Sequence, residues 1–424
     1  MKRAGLVGLV VFCVAPIVVW LATTVDVVPL PDRFADRTIT MRTIALACAL
    51  AGYSAWAANI IQGARIGTVE RAWNGLDHLY RAHRRTGEAV VALLVLHGGL
   101  MLASIGSLVY LDADTGAIFL GPVFLAMLVT LVVVTVYGRL HHDPFLWVQR
   151  ALGGLFLLTA FHVFGVQGEK ALSRPLNVLL IAYAVLAAAA FVYRSGLGRT
   201  AAPRHHYTVA EMNRITDHIT EVVLDAVDHP VRFEPGQFAF LSLGRPAHDT
   251  RAHPFSITSR VDEPQLRFVV KGLGDHTREL AVIPRGTSAR VEGPYGTLTH
   301  TRMRNKRQVW IGGGIGITPF IAMARAVAAR GDFDVDLYYC TADAAEASFR
   351  DELAEHVNVI SVREDVEGFL TADRIAAVSG PLGGDDTDYL ICGPPAMLHN
   401  LRSQLVAAGV PPARVHAEDF SFRR

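Results

Sequence analysis

The sequence predicts a multi-domain protein: a six-helix all-α transmembrane bundle at 1–200, an antiparallel β-barrel at 201–302, and a doubly wound α/β domain at 303–424. Three observations support this prediction. Hydrophobic residues make up 51% of the 424-residue chain and charged residues only 19%, whereas an ordinary soluble domain is about 25% charged. The apolar residues are concentrated in the first half. In the second half, short alternating runs give way to a regular succession of strands and helices.

The composition also excludes several classes of protein. The formal net charge is only +1, so we expect no nucleic-acid partner. The four cysteines have no CxxC or ferredoxin-type spacing, so we expect no disulfide scaffold, zinc site or iron–sulfur cluster. The remaining class is an integral membrane protein, surrounded by membrane lipid, with a large soluble half.

Six apolar segments in the first half are each about long enough to cross ~30 Å of hydrocarbon. They lie at 5–25, 43–61, 88–110, 117–138, 151–168 and 176–193. The first segment follows Lys2 and Arg3 but lacks a small-residue cleavage site, so we interpret it as a span and not a signal peptide. Most Lys and Arg residues of the connecting segments fall at the N-terminus and after even-numbered crossings. The expected location is the bacterial cell membrane, and this bias predicts that the N-terminus and the C-terminal half lie in the cytoplasm.

The second half of the chain shows two different patterns of predicted secondary structure. Short alternating runs separated by Gly and Pro turns predict the antiparallel barrel, at His206–Ala210, Thr220–Asp225, Phe238–Leu243, Leu266–Lys271 and Ser288–Glu292. Buried strands then alternate with helical stretches, which is typical of a doubly wound domain. These strands are Gln308–Ile311, Val335–Cys340, Val357–Val362 and Tyr389–Cys392, and the helical stretches lie near 319–330, 346–356 and 394–408.

A glycine-rich loop is the first chemical signal. The strand Val309-Trp310-Ile311 runs into Gly312-Gly313-Gly314-Ile315-Gly316-Ile317-Thr318-Pro319. Glycines let a pyrophosphate approach the backbone, and Pro319 can begin a helix whose amino terminus faces the anion. The spacing does not fit the G-x-G-x-x-G dehydrogenase fingerprint. A second loop, Cys392-Gly393-Pro394-Pro395, also follows a strand, at the sheet edge where ligands collect.

Three further motifs lie in the barrel: His253-Pro254-Phe255-Ser256-Ile257-Thr258, Lys271-Gly272-Leu273-Gly274-Asp275-His276-Thr277 and Gly293-Pro294-Tyr295-Gly296. With the two loops, this ordered set resembles the ferredoxin–NADP reductase superfamily and, more narrowly, the NADPH oxidase and ferric reductase family. The resemblance covers nearly the whole chain. It implies a heme-binding helical domain, a flavin barrel and a nicotinamide-nucleotide domain. It also implies an NAD(P)H-dependent transmembrane flavoprotein oxidoreductase with FAD, heme b, and NADH or NADPH as cofactors.

The resemblance assigns roles to the matching positions. The flavin motif is His253, Pro254, Phe255 and Ser256, with Ser256 placed to hydrogen-bond the isoalloxazine ring. The FAD pyrophosphate is assigned to Lys271, Gly274 and Thr277, and the nucleotide phosphates to Gly313, Gly314, Gly316 and Thr318. Cys392, Gly393 and Pro394 match the loop beside the nicotinamide. In the tail Glu418-Asp419-Phe420-Ser421-Phe422, Phe420 is the ring expected to cover the flavin. Ser256, Cys392 and Phe420 are therefore the candidate catalytic residues.

Histidines in the apolar half are the candidate iron ligands. His83 and His97 are about 14 residues apart, which places them within roughly 40° on one helix face. His97 and His162 lie at similar depth in two spans that run the same way, as a bis-histidine heme requires. In the family a second heme joins the cytoplasmic ends of these helices. Here His83 supplies one ligand for it.

The other ligand of that second heme is missing from the pattern. Gln149 or Val148 stands at the matching position of the later span. His141 and His142 in the adjacent loop are alternative ligands, and a five-coordinate heme on His83 is another arrangement. The sequence therefore leaves open whether the protein holds one heme or two.

Two functions from different classes fit these features. The first is electron transfer from cytoplasmic NAD(P)H through FAD and heme to an acceptor across the membrane. The second is a cytoplasmic flavin reductase whose helices are an anchor or a heme-binding subunit for another membrane protein. An anchor needs no buried imidazoles at matched depth, so His97 and His162 favour the first. A ferric chelate, oxygen and a quinone all remain possible acceptors, and no obligatory protein partner is evident.

The choice of electron donor depends on the segment after the second parallel strand. Asp343 and Glu346 follow that strand, and the nearest arginine is Arg350. Carboxylates repel the 2′-phosphate of NADPH and can accept hydrogen bonds from the ribose of NADH. The sequence therefore favours NADH.

Overall fold

A computed structural model describes residues 3–104, 115–138, 140, 142–165, 173–195, 204–244, 252–272, 283–384 and 386–418. The chain divides into two units, Met1–Ala201 and Ala202–Arg424. The long helices belong to the first unit and both β-sheets belong to the second.

Seven helices make up the described part of the first unit. They are α1 (Arg3–Thr24), α2 (Arg37–Gly63), α3 (Gly67–Trp73), α4 (Leu76–Ala103), α5 (Thr115–Tyr137), α6 (His142–Gly165) and α7 (Arg174–Ser195). Among the described residues, the six other than α3 are long and apolar enough to cross a membrane. Helix α4 begins well before the predicted start at residue 88, because Arg81, Arg84 and Arg85 are good helix formers and continue it.

Helix α2 has the largest buried share of the six long helices. The Asp36 carboxylate caps its first turn by accepting from the Ile39 amide at 2.8 Å. Phe156 of α6 is fully buried between Tyr53 and Trp56 of α2, with ring centroids 5.0 and 5.6 Å away. These aromatic contacts pack α6 against α2.

The first sheet of the second unit is antiparallel. Its strands are β1 (Arg204–Arg214), β2 (Ile219–Ala226), β3 (Phe238–Leu243), β4 (His253–Ser256), β5 (Gln265–Lys271) and β6 (Ser288–Tyr295). Their order is β4-β3-β6-β1-β2-β5. A bridge between Ile257 and Phe268 joins the two edges and nearly closes the sheet around an apolar core. The predicted barrel is confirmed in this near-closed form. The segment 253–256, expected only as a motif, is itself a strand.

The second sheet is parallel. Its strands are β7 (Arg307–Gly313), β8 (Asp334–Thr341), β9 (Asn358–Arg363), β10 (Thr387–Cys392) and β11 (Val415–Glu418). Between them run α8 (Thr318–Arg330), α9 (Arg350–Ala354), α10 (Glu364–Glu367), α11 (Ala372–Ser379) and α12 (Pro395–Ala407). The order β11-β10-β7-β8-β9 is doubly wound, as predicted. Strand β11 and helices α10 and α11 were not predicted.

Residues of β7 alternate between the two faces of the parallel sheet. Trp310 packs into one apolar core with Leu337 and Leu390, while Val309 and Ile311 pack into the other. Because both faces of the parallel sheet are buried, its strands are continuous apolar runs in the sequence. This burial on both faces fixes the register that places the strand ends.

Candidate functional site

The carboxyl ends of β7 and β10 lie side by side at the middle of the parallel sheet, where Gly312 pairs with Cys392. The strand order reverses at this point. Ligands of open α/β sheets bind in the crevice at such a reversal. The structure therefore brings together the two loops singled out in the sequence, at 312–319 and 392–395.

These loops approach so closely that glycine is required. An ideal Cβ on Gly316 would lie 2.5 Å from the Cys392 carbonyl oxygen, and one on Gly313 would lie 2.5 Å from Met397 Sδ. An ideal Cβ on Gly314 would meet nothing within 4 Å, so open space remains beside that residue. Helix α8 begins directly after the loop, and its amino terminus favours an anion there.

Ser256 brings the antiparallel sheet to the same loop. It is the last residue of β4, pairs with Phe238 of β3 and is 5% exposed. Its hydroxyl oxygen lies 3.1 Å from the hydroxyl oxygen of Thr318, the first residue of α8. Ser256, predicted to contact the flavin ring, and Thr318, predicted to contact the nucleotide phosphates, are therefore direct neighbours. The other three residues of the flavin motif, His253, Pro254 and Phe255, share strand β4.

A buried carboxylate joins this site from the last described strand. Glu418 ends β11 and is 5% exposed. An ideal Cβ on Gly296 would lie 2.9 Å from Glu418 Oε1, so the carboxylate packs against the 293–296 motif. Sequence reasoning quoted Glu418 only as part of the tail and assigned it no role. The available signal was an acidic residue two positions before Phe420, the aromatic expected to cover the flavin.

Lys271 extends across to the parallel-sheet side. Its ammonium nitrogen lies 2.7 Å from Glu346 Oε1. The hydrogen bond from Lys271 is the main cause that lowers the pKa of Glu346 below its ordinary value. Lys271 and Glu346 line a cavity of about 390 Å³ together with His218, Gly314 and Asp343. The cavity thus has walls from both sheets.

Three predicted site residues lie outside the described part of the chain. They are Gly274, Thr277 and Phe420. Their expected contacts with the FAD pyrophosphate and the flavin ring stay predictions.

The first unit contains the three histidines expected to bind iron. His83 and His97 lie on α4, and Nδ1 of each ring is 3.0 Å from a backbone carbonyl oxygen of α2, those of Asn59 and Ala45. A carbonyl oxygen only accepts, so Nδ1 carries the proton and Nε2 keeps the lone pair that a metal needs. Both rings therefore have the tautomer that iron ligation requires.

His162 lies on α6 and packs directly against α5. An ideal Cβ on Gly121 would lie 2.7 Å from the Cε1 atom of His162. Two imidazoles form the donor set of a bis-histidine heme, so His97 and His162 fit that group.

The candidate ligands of a second heme lie at or near the start of α6. Gln149 lies on α6, His141 is outside the described residues, and His142 begins α6. No group of three or more His, Cys, Asp or Glu side chains in the described ranges can hold a metal ion directly. A bis-histidine heme needs only two such ligands.

Residues 204–299 match the family model of an FAD-binding domain, and residues 310–403 match that of an oxidoreductase NAD-binding domain. The second unit is a ferredoxin reductase-type FAD- and NAD-binding module. For this half of the chain, the match confirms the predicted class of NAD(P)H-dependent flavoprotein oxidoreductase. The module has the near-closed antiparallel sheet and the doubly wound parallel sheet described above.

Among curated relatives, the ferredoxin reductase component of 3-ketosteroid-9-alpha-monooxygenase from Rhodococcus rhodochrous is 29% identical over 224 residues, covering 50% of this chain and 63% of the relative. A flavohemoprotein from Rhizobium meliloti is 26% identical over 240 residues, covering 50% of this chain and 60% of the relative. This chain thus spans less than two thirds of the length of either. The crystal structure of a flavohemoglobin from Malassezia yamatoensis, with bound FAD and heme, has a TM-score of 0.51 at 17% identity over 91% of this chain and 99% of its own, which is a likeness of fold.

Proposed function

We propose that the protein carries electrons from cytoplasmic NAD(P)H through FAD and heme b to a small-molecule acceptor across the membrane, a ferric chelate, oxygen or a quinone. The observation that supports this proposal best is the pair of α4 imidazoles, His83 and His97, whose Nδ1 atoms bond to α2 carbonyl oxygens. The third imidazole, His162 of α6, packs against Gly121 of α5. When bound, FAD takes a two-electron hydride and passes single electrons on, and heme iron accepts them one at a time.

The residues of the second unit supply binding and orientation. The glycine loop at 312–316 and the amino terminus of α8 hold the nucleotide pyrophosphate in the crevice. Ser256, fixed by its neighbour Thr318, orients the flavin ring. Cys392, Gly393 and Pro394 set the position of the nicotinamide. Buried Glu418 closes the same region against water.

The outer surface of the first unit supports a membrane location. Large apolar side chains on its long helices are exposed, for example Val178 at 67%, Phe161 at 70% and Phe119 at 72%. A soluble domain rarely exposes so many large apolar side chains on its helices, whereas lipid-facing helices do so. The cytoplasmic placement of the N-terminus and of the second unit is part of the proposal.

Three imidazoles determine how many hemes the first unit could hold. His97 and His162 would together hold one heme b through their imidazole nitrogens. His83 has the same tautomer as His97, held by Asn59. A second heme would be held by His83 either alone or with a ligand from outside the matching position, which is Gln149 or Val148.

Heme content per FAD on the detergent-solubilised full chain, with reduced-minus-oxidised spectra, tests the proposal. We expect bound FAD and a bis-histidine b-type spectrum that is lost in His97→Ala and in His162→Ala. His78→Ala, on the same helix α4, is the matched control and should keep it. A loss of about half the heme in His83→Ala would establish two hemes.

Three results would contradict the proposal. A normal b-type spectrum in His97→Ala or His162→Ala would remove the heme assignment. FAD without heme in the unmodified chain would favour the cytoplasmic flavin reductase with a helical anchor. Absence of flavin, with no gain of NAD(P)H oxidation when FAD is added, would remove the flavin chemistry itself.

A further inference from the structure

The cavity of about 390 Å³ is the starting point. Its walls combine the β1–β2 turn with the glycine loop and the segment after β8, and they include Asp217, His218, Lys271, Asp343 and Glu346. The segment after the second strand of such a domain meets the ribose of the adenosine half of a dinucleotide. We therefore expect the charged side chains of this cavity to face the 2′ group of the adenosine ribose, which is a phosphate in NADPH and a hydroxyl in NADH.

The resemblance assigns Lys271 to the FAD pyrophosphate, but the structure places its side chain in the wall of this cavity, where it is the cation that a 2′-phosphate would approach. It comes from the antiparallel sheet, where β5 ends. Its ammonium is already bonded to Glu346 Oε1 at 2.7 Å, and the two side chains are only 23% and 35% exposed. Arg350, the arginine considered from the sequence, bonds instead to Ser361 Oγ and Asp351 Oδ1, both at 3.0 Å.

Glu346 is held in place on the other side of the pair. The Tyr339 hydroxyl donates to its backbone carbonyl at 3.0 Å, and its amide donates to Asp343 Oδ1 at 3.2 Å. The Ala342 amide donates to its Oε2 at 3.4 Å. The first two contacts fix the backbone of Glu346, and the carboxylate loses the Ala342 hydrogen bond if it turns away from Lys271.

We infer that Glu346 is a specificity-determining residue: it neutralises Lys271, so the cavity accepts the adenosine of NADH and rejects the 2′-phosphate of NADPH. The inference rests on the proposed NAD(P)H function. A phosphate monoester carries about −1.5 to −2 charges at pH 7. It would have to displace a fixed carboxylate and then lie beside it. Removing the carboxylate alone turns Lys271 into an available phosphate ligand.

The test measures the dissociation constants of adenosine 2′,5′-bisphosphate and of AMP for the detergent-solubilised, FAD-loaded full chain. These probes differ only at the 2′ position, and neither requires electron transfer. In Glu346→Gln we expect the bisphosphate to bind at least about tenfold tighter, with little change for AMP. Lys271→Met added to Glu346→Gln should abolish that gain while AMP binding and FAD content, measured on the same sample, stay unchanged. Glu346→Asp should keep the original preference. Glu355→Gln, at an exposed glutamate, is the matched control and should change neither constant.

Each contrary result has a separate meaning. Equal bisphosphate affinity in Glu346→Gln and the unmodified chain, with AMP still bound, would overturn the inference and leave the proposed function intact. A gain that persists without Lys271 would also overturn it, since another cation would then bind the phosphate. Failure of the unmodified chain to bind AMP or NADH would overturn the nucleotide function, and the inference with it.

Discussion

Replacing Gly121 by alanine tests whether His162 binds iron where the structure places it. An ideal Cβ at this position would lie 2.7 Å from Cε1 of His162 and 3.2 Å from both ring nitrogens. Carbon atoms in ordinary contact are about 3.5–4.0 Å apart, so the imidazole must move by about 1 Å. Metal–ligand distances tolerate only about 0.2 Å. The substitution should therefore displace the ligand from the iron.

The expected magnitude follows from two opposing contributions. Overpacking a buried contact costs about 1–3 kcal/mol, while alanine is about 1 kcal/mol more favourable than glycine inside a helix. The bundle should therefore lose no more than about 2 kcal/mol of stability and stay folded. Returning the His162 ring to its heme-binding position would restore the overpacked contact, at a cost of about 1–3 kcal/mol. Since each 1.4 kcal/mol is tenfold in an equilibrium constant, we expect heme affinity to fall by about tenfold or more.

The assay is heme per chain, with the reduced-minus-oxidised spectrum of the purified protein. Gly154→Ala is the matched control, because Gly154 lies on α6 with His162 and an ideal Cβ there meets nothing within 4 Å. It should retain full heme. Full heme and an unaltered spectrum in Gly121→Ala would refute the assignment of His162, and equal losses in both variants would point to a general effect on the helices.

Three further predictions concern the second unit. Gly316→Ala places a Cβ 2.5 Å from the Cys392 carbonyl oxygen, so the NADH dissociation constant should rise by about tenfold or more; unchanged affinity would contradict the loop assignment. Phe420→Ala should tighten binding of oxidised nucleotide and speed NAD(P)H oxidation with air as the only acceptor, and no change in either would make Phe420 a packing residue. Burial would raise the pKa of Asp388, but hydrogen bonds led by that from His416 lower it. The carboxylate therefore stabilises the fold above about pH 4 and ceases to do so as pH falls through its lower folded pKa. Asp388→Asn should cost about 1–3 kcal/mol in denaturant unfolding at pH 7, with the deficit shrinking in acid; an equal deficit at all pH values would contradict this.

Local sequence patterns were sufficient to predict most elements of this protein. Long apolar runs predicted the six long helices, and alternation with Gly and Pro turns predicted strands such as β3 at Phe238–Leu243. These patterns are local because burial of one face or stripe leaves a period of 2 or 3.6 in the chain. Motif spacing likewise indicated which strands end at the crevice. Short elements with weak periodicity, β11, α10 and α11, were not predicted.

The partners of the side chains were decided only by the tertiary structure. No local pattern indicates that Thr318 lies beside Ser256, that Lys271 pairs with Glu346, or that the α2 carbonyls hold the α4 imidazoles. Each of these contacts joins residues far apart in the chain. Their distances depend on strand register and helix packing, which are set by burial over the whole unit and not by neighbours in sequence. The sequence alone therefore determined which chemical groups are available, while the tertiary structure decided which of them meet.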